Sequence, residues 1–120
     1  RGIDPVFLLS PTTEKSRVDL IVQQASGFVY YVSLKGVTGA KNLDIDEVAD
    51  RVAAIRKQTN LPVGVGFGVR DAATAKAVAG IADAVVVGSR MVQTIETSTV
   101  DNVVANLTAL TLELRAAIDA

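Results

Sequence analysis

Val63-Gly64-Val65-Gly66-Phe67-Gly68-Val69 is a β-branched run, too apolar for an exposed strand, that breaks off into glycine. One unit later, Ala84-Val85-Val86-Val87-Gly88-Ser89 repeats the pattern. Glycine removes the steric bar to close approach at the backbone, and N–H groups at the start of a following helix attract negative charge. Two such strand ends in succession read as a cup for an anion, phosphate above all.

Working outward, four apolar runs alternate with helical patterns. Val6-Phe7-Leu8-Leu9, introduced by Pro5, is the expected first strand. Its helix carries Val18, Ile21, Val22 and Ala25 at helical spacing, with Thr12 or Thr13 as N-cap and Gly27 as stop. Phe28-Val29-Tyr30-Tyr31-Val32 is the second strand, its two tyrosines directed to opposite faces. Asp44 with Glu47 makes a capping box for a helix bearing Ile45, Val48, Ala49, Val52 and Ile55. Val63 to Gly66 is the third strand, and Asp71 caps an alanine-rich helix over Ala72 to Ala79. Ala84 to Val87 is the fourth strand, followed by a short helix over Arg90 to Glu96. A last helix opens at Asp101 and sets Val103, Val104, Leu107, Leu110, Leu114 and Ile118 on one face.

Near-continuous apolar strands alternating with helices point to an α/β fold with a parallel sheet buried on both faces. Each unit takes about 30 residues, so a (β/α)8 TIM barrel of about 250 residues holds twice this many units. A short extra helix after the eighth strand commonly completes a barrel's phosphate site. The four strands are therefore read as strands five to eight, and residues 1–120 as the C-terminal half-barrel of one TIM-barrel domain whose N-terminal half is absent. The chain opens on Arg1 directly before a strand, as a segment of something longer would. An open, doubly wound sheet is the alternative; it lacks the G-x-G-x-x-G turn such folds use for nucleotides.

Composition narrows the function classes. A formal net charge of −1 gives no electrostatic reason to expect nucleic acid or an anionic membrane as partner, and no apolar run reaches the roughly 18 residues of a membrane span. Cysteine is absent, which excludes disulfides and thiolate metal sites and fits a reducing cytoplasm, the expected location. Histidine is absent too, so no metal site is expected. Asp44, Asp46, Glu47, Asp71 and Asp101 sit at or near helix starts, where capping and the helix dipole explain them. Asp83 precedes the fourth strand, on the rim away from barrel chemistry. The chain therefore has no acid–base pair of its own.

Ser33 to Leu43 is an eleven-residue βα connection, with Gly36, Thr38, Gly39, Lys35 and Lys41, where such loops usually run about two to six. At the carboxyl end of a barrel strand it reads as a lid that folds over an anionic ligand and excludes water. Gly88-Ser89 adds a backbone N–H and a hydroxyl suited to phosphate oxygens.

These residues carry a resemblance. Ala25-Ser26-Gly27-Phe28-Val29-Tyr30-Tyr31-Val32-Ser33, then Gly36-Val37-Thr38-Gly39-Ala40, resembles the sixth strand and following loop of the tryptophan synthase α subunit family. Leu61-Pro62-Val63, Gly66-Phe67-Gly68-Val69 and Val86-Val87-Gly88-Ser89 resemble its seventh and eighth strand ends, and Leu9-Ser10-Pro11-Thr12-Thr13 its fifth. The resemblance implies a lyase that cleaves indole-3-glycerol phosphate to indole and glyceraldehyde 3-phosphate in tryptophan biosynthesis. It implies that a glutamate and an aspartate from the first two barrel strands move the protons, so this chain alone is expected to be inactive. Tyr30 then matches a tyrosine near the reacting indole, and Thr38 a lid threonine that engages the catalytic aspartate. Gly39 matches a lid glycine at the phosphate, and Phe67 a residue beside the substrate; Gly68, Gly88 and Ser89 match the phosphate cup. Some members have arginine directly after the lid serine, where this chain has Leu34 and then Lys35. By the same resemblance the subunit needs no cofactor and pairs with a pyridoxal-phosphate-dependent β subunit. Two other readings stay open: a non-catalytic half-barrel that assembles through its open sheet, and another phosphate-handling barrel such as an isomerase.

Overall fold

Four strands lie side by side in chain order, all parallel: β1 (Leu8–Leu9), β2 (Val29–Val32), β3 (Val63–Gly66) and β4 (Ala84–Val86). The helices are α1 (Lys15–Gln24), α2 (Ile45–Arg56), α3 (Ala72–Ala79), α4 (Ser89–Glu96) and α5 (Val103–Asp119). A computed structural model describes residues 2–33, 44–66 and 68–120. Among the described residues the strand order does not reverse, so the sheet shows no topological switch point of the kind a doubly wound nucleotide fold uses. This unidirectional parallel β/α sheet is consistent with half of a TIM barrel.

Strand register decides which side chains meet the helices. Leu9, Tyr31, Val65 and Val85 are aligned across the sheet, with Val29 and Val63 one layer below. This parity packs with Val18 of α1, Val48, Val52 and Ile55 of α2, Ala75 and Val78 of α3, and Leu110 and Leu114 of α5. The other parity carries Leu8, Tyr30, Val32, Gly64, Gly66, Ala84 and Val86, and Leu8 there is 63% exposed. Helices cover one face, and the opposite one is open at β1 and at Ala84 of β4, the open core face that half of a barrel presents on its own.

Several element ends differ from the sequence reading. β1 spans only Leu8–Leu9; just upstream the Phe7 carbonyl accepts from Tyr30 N–H (3.0 Å) and the Pro5 carbonyl from Ser26 N–H (3.3 Å). Val29 rather than Phe28 begins β2, and β4 ends at Val86. Neither Thr12 nor Thr13 caps α1: the Thr13 hydroxyl accepts the Ser10 N–H (3.0 Å), closing a turn after β1, and Glu14 takes the N-cap position. The helix stops at Gln24, short of Gly27. α5 begins at Val103, not Asp101, because the Asn102 carboxamide oxygen accepts from Thr99 N–H (2.7 Å) and holds the preceding turn. On that helix Leu110 and Leu114 are buried against α3, whereas Val104 is 74% exposed and does not belong to the inward stripe.

The other caps follow the sequence. Asp44 accepts the Glu47 N–H (3.1 Å) at the start of α2, and Asp71 accepts both the N–H (2.8 Å) and the hydroxyl (2.7 Å) of Thr74 at the start of α3. Such caps satisfy amides that have no partner within the helix, each worth about 1 kcal/mol.

Candidate functional site

The sequence alternates Val-Gly-Val-Gly on β3 beside Val-Tyr-Tyr-Val on β2, and register makes these patterns complementary. Tyr31, 2% exposed, faces the helices; Tyr30 faces the other way and lies across Gly66. A Cβ added at Gly66 would overlap the Tyr30 hydroxyl, stand 2.8 Å from Tyr30 Cζ and reach 3.0 Å from Val86 Cβ. Gly64 is likewise overlaid by the Phe28 ring, with Cε2 3.3 Å from its would-be Cβ. The two glycines of β3 therefore make room for two aromatic rings on the open face, which cover Gly64 and Gly66, while Val63 and Val65 are buried on the helix side. Gly66 thus serves packing against Tyr30 as well as the turn expected for an anion, a fit signalled in the sequence by the matched glycine and aromatic parities.

Beyond β3 the backbone turns at Gly68, whose φ of +81° lies in the left-handed region that favours glycine. β3 and β4 are parallel, with Gly66 opposite Val86, so Gly68 and Gly88–Ser89 follow the same ends of adjacent strands. Gly88 is the N-cap of α4 and Ser89 its first residue. The Gly88 carbonyl accepts from Met91 (2.9 Å) and Val92 (3.1 Å), while the amides of Ser89 and Arg90 make no backbone hydrogen bond among the described residues. A Cβ at Gly88 would meet nothing within 4 Å, and its φ of −109° suits any residue. Steric need does not explain this glycine. Ser33 is buried at the end of β2, where its N–H donates to the Gly66 carbonyl (3.2 Å). Thr38, Gly39 and Phe67, with the rest of the Leu34 to Leu43 connection, lie outside the described residues.

At the opposite rim, Asp83 is structural. Its N–H donates to the Val63 carbonyl (2.9 Å), and its Oδ2 accepts the Val63 N–H (2.9 Å) and pairs with Arg56 Nη2 (3.0 Å). The Val63 amide first, and Arg56 second, hold its carboxyl below the usual carboxylate range. Thr74 does the same for Asp71, through its N–H first and then its hydroxyl. Among the described residues no group of three or more acids could hold a metal ion, and no helix is long and apolar enough to cross a membrane.

Comparison with known proteins gives one answer. The family model described as tryptophan synthase alpha chain matches residues 1–119. The tryptophan synthase alpha chain of Chromobacterium violaceum is 62% identical over 117 residues, covering 98% of this chain and 45% of the relative. That of Burkholderia mallei is 58% identical over 118 residues, covering 98% of this chain and 44% of the relative. Among solved structures, tryptophan synthase of Mycobacterium tuberculosis superposes with a TM-score of 0.81 at 36% identity, over 97% of this chain and 42% of that one. The alpha subunit from Legionella pneumophila gives 0.77 at 34%, over 98% and 43%. The chain thus spans less than half the length of the curated relatives it matches. With a match running through almost every residue, the chain belongs to the tryptophan synthase alpha chain family.

Proposed function

We propose that this chain is the phosphate-gripping, C-terminal half of a (β/α)8 barrel, its strands serving as the fifth to eighth. The whole barrel is a carbon–carbon lyase of tryptophan biosynthesis that cleaves indole-3-glycerol phosphate to indole and glyceraldehyde 3-phosphate. The observation that carries the reading is Gly88: a glycine that packing does not require, at the head of α4, beside two amides without backbone partners among the described residues. A phosphate seated there would accept from those amides and from Ser89, in the field of the helix N-terminus. Gly68, following the adjacent strand, forms the other wall. Tyr30 lies on the open face, where a substrate's ring would rest, and Phe67 would pack beside it. Thr38 and Gly39 belong to a lid, running on from Ser33, that closes over substrate and excludes water.

Proton transfer is assigned to carboxylates outside this chain. Asp44 and Asp71 are occupied as caps, and Asp83 is clamped at the far rim. The open face and the single neighbours of β1 and β4 suit continuation of the sheet by further strands. No cofactor is needed for this chemistry, and a pyridoxal-phosphate-dependent β subunit is the proposed recipient of the indole. The test is indole release from indole-3-glycerol phosphate by this 120-residue chain, alone and mixed with a complementary N-terminal half. Turnover is expected only in the mixture; turnover by the chain alone would defeat the division of labour.

A further inference from the structure

The open face of the sheet and its two free edges form one continuous surface. Its positions, from Leu8 of β1 to Val86 of β4, include no charged residue. Leu8, 63% exposed, lies on one edge strand and Ala84, also exposed, on the other. Among the described residues β1 and β4 have one strand neighbour each, and an unpaired edge beside an apolar face is a template for another chain. The chain exposes 7758 Å², against about 6,200 Å² for a compact protein of its 12.5 kDa mass. Covering that excess of about 1,500 Å² in each of two copies would bury about 3,000 Å², within the range of permanent homodimers.

The helices beside the two edges are complementary as well. On α5, Val104, Leu107, Thr108, Thr111 and Leu112 line a groove of about 320 Å³. The first four stand at i, i+3, i+4 and i+7, the spacing of a hole that accepts one side chain from a facing helix. On α1, Lys15 and Val18 look toward α2 across a cavity, and Leu20, 65% exposed, lies off that side. Leu20 is the sixth residue of α1 and Thr108 the sixth of α5, so the leucine and the hole lie equally far along their helices. Because the strands are parallel, a two-fold axis running along them sets β4 of each copy beside β1 of the other and closes the ring without an edge. We propose that the 120-residue chain forms this two-fold dimer with a second copy of itself, each Leu20 seated in the other's α5 groove. The inference rests on the half-barrel reading, since the second copy takes the place assigned there to complementary strands.

Sedimentation velocity at micromolar concentration should give one species of about 25 kDa, twice the 12.5 kDa chain. Leu20→Lys puts a charge into both junctions and should weaken the dimer by about a hundred-fold or more, while circular dichroism shows an unchanged fold. Cross-linking reads the geometry, since the chain has no cysteine of its own. Oxidising a mixture of Leu20→Cys and Thr108→Cys should yield the mixed disulfide, and neither variant alone should link to itself. A monomeric chain would overturn the pairing; if it still gave turnover with the complementary half, the lyase reading would stand. Open-ended assemblies, a Leu20→Lys dimer as tight as wild type, or self-linked Leu20→Cys would each overturn the proposal too.

Discussion

Replacing Gly66 with alanine asks one methyl group to occupy space that Tyr30 already fills. The added carbon would stand 2.8 Å from Tyr30 Cζ and 3.0 Å from Val86 Cβ, and would overlap the tyrosine hydroxyl. Carbon atoms prefer separations of about 3.5–4.0 Å, so the ring would have to retreat by roughly 1 Å. Val86 Cβ is fixed to the backbone of the neighbouring strand and cannot yield by a rotamer change. Overpacking of this kind costs about 1–3 kcal/mol. Urea denaturation of wild type, Gly66→Ala, Tyr30→Leu and the double variant would measure it, with the shift read from the midpoint at constant slope. Because Tyr30→Leu removes the atoms that clash, the double variant should be more stable than the sum of the single losses implies, by about 1 kcal/mol or more. Additive losses, or a Gly66→Ala protein within about 0.5 kcal/mol of wild type, would refute the placement of Tyr30 over β3.

Two further outcomes test the scaffold. Leu110→Ala, at a site 7% exposed, should cost about 2–5 kcal/mol, whereas Val104→Ala on the same helix should stay within about 0.5 kcal/mol; thermal or urea melts with the costs reversed would show that α5 is rotated. Asp83→Asn should remove under about 1 kcal/mol at pH 7, because both side chains of the Arg56 pair are nearly half exposed and screened. Since the folded carboxyl titrates below its unfolded value of about 3.9, its stabilisation is present above that pH. It is lost as pH falls through the lower folded value. The gap between wild type and Asp83→Asn should therefore close in acid, and urea midpoints whose difference widened as pH fell would contradict that sign.

Much of the fold was legible because its signals are local. The bounds of β3 follow from Val63-Gly64-Val65-Gly66 itself, and those of α3 from Asp71 and the alanine run it caps. What escaped depended on neighbours remote in sequence. Thr13 is a good N-cap residue, but its hydroxyl is spent on Ser10 at the end of β1. Val103 and Val104 are equally apolar, and only the docking of α5 against α3 decides that Val104 turns outward. The candidate site divides along the same line. Glycine-terminated strands were visible at once, while the fit of Gly66 to Tyr30 and of Gly64 to Phe28 required the β2–β3 register.

The anion cup at the ends of β3 and β4 is best tested by titrating glycerol 3-phosphate calorimetrically into wild type, Gly88→Ala and Gly88→Asp. A side chain at position 88 meets open space and aspartate is a good N-cap for α4, so Gly88→Asp should melt no lower than wild type, with Gly88→Ala lower by about 1 kcal/mol or less. The aspartate carboxylate would sit within a few ångströms of the bound phosphate, and even with partial screening that repulsion should weaken binding by at least about ten-fold. Wild type should bind clearly, and Gly88→Asp should lose that binding without loss of stability. Equal affinity in the two proteins would contradict the cup.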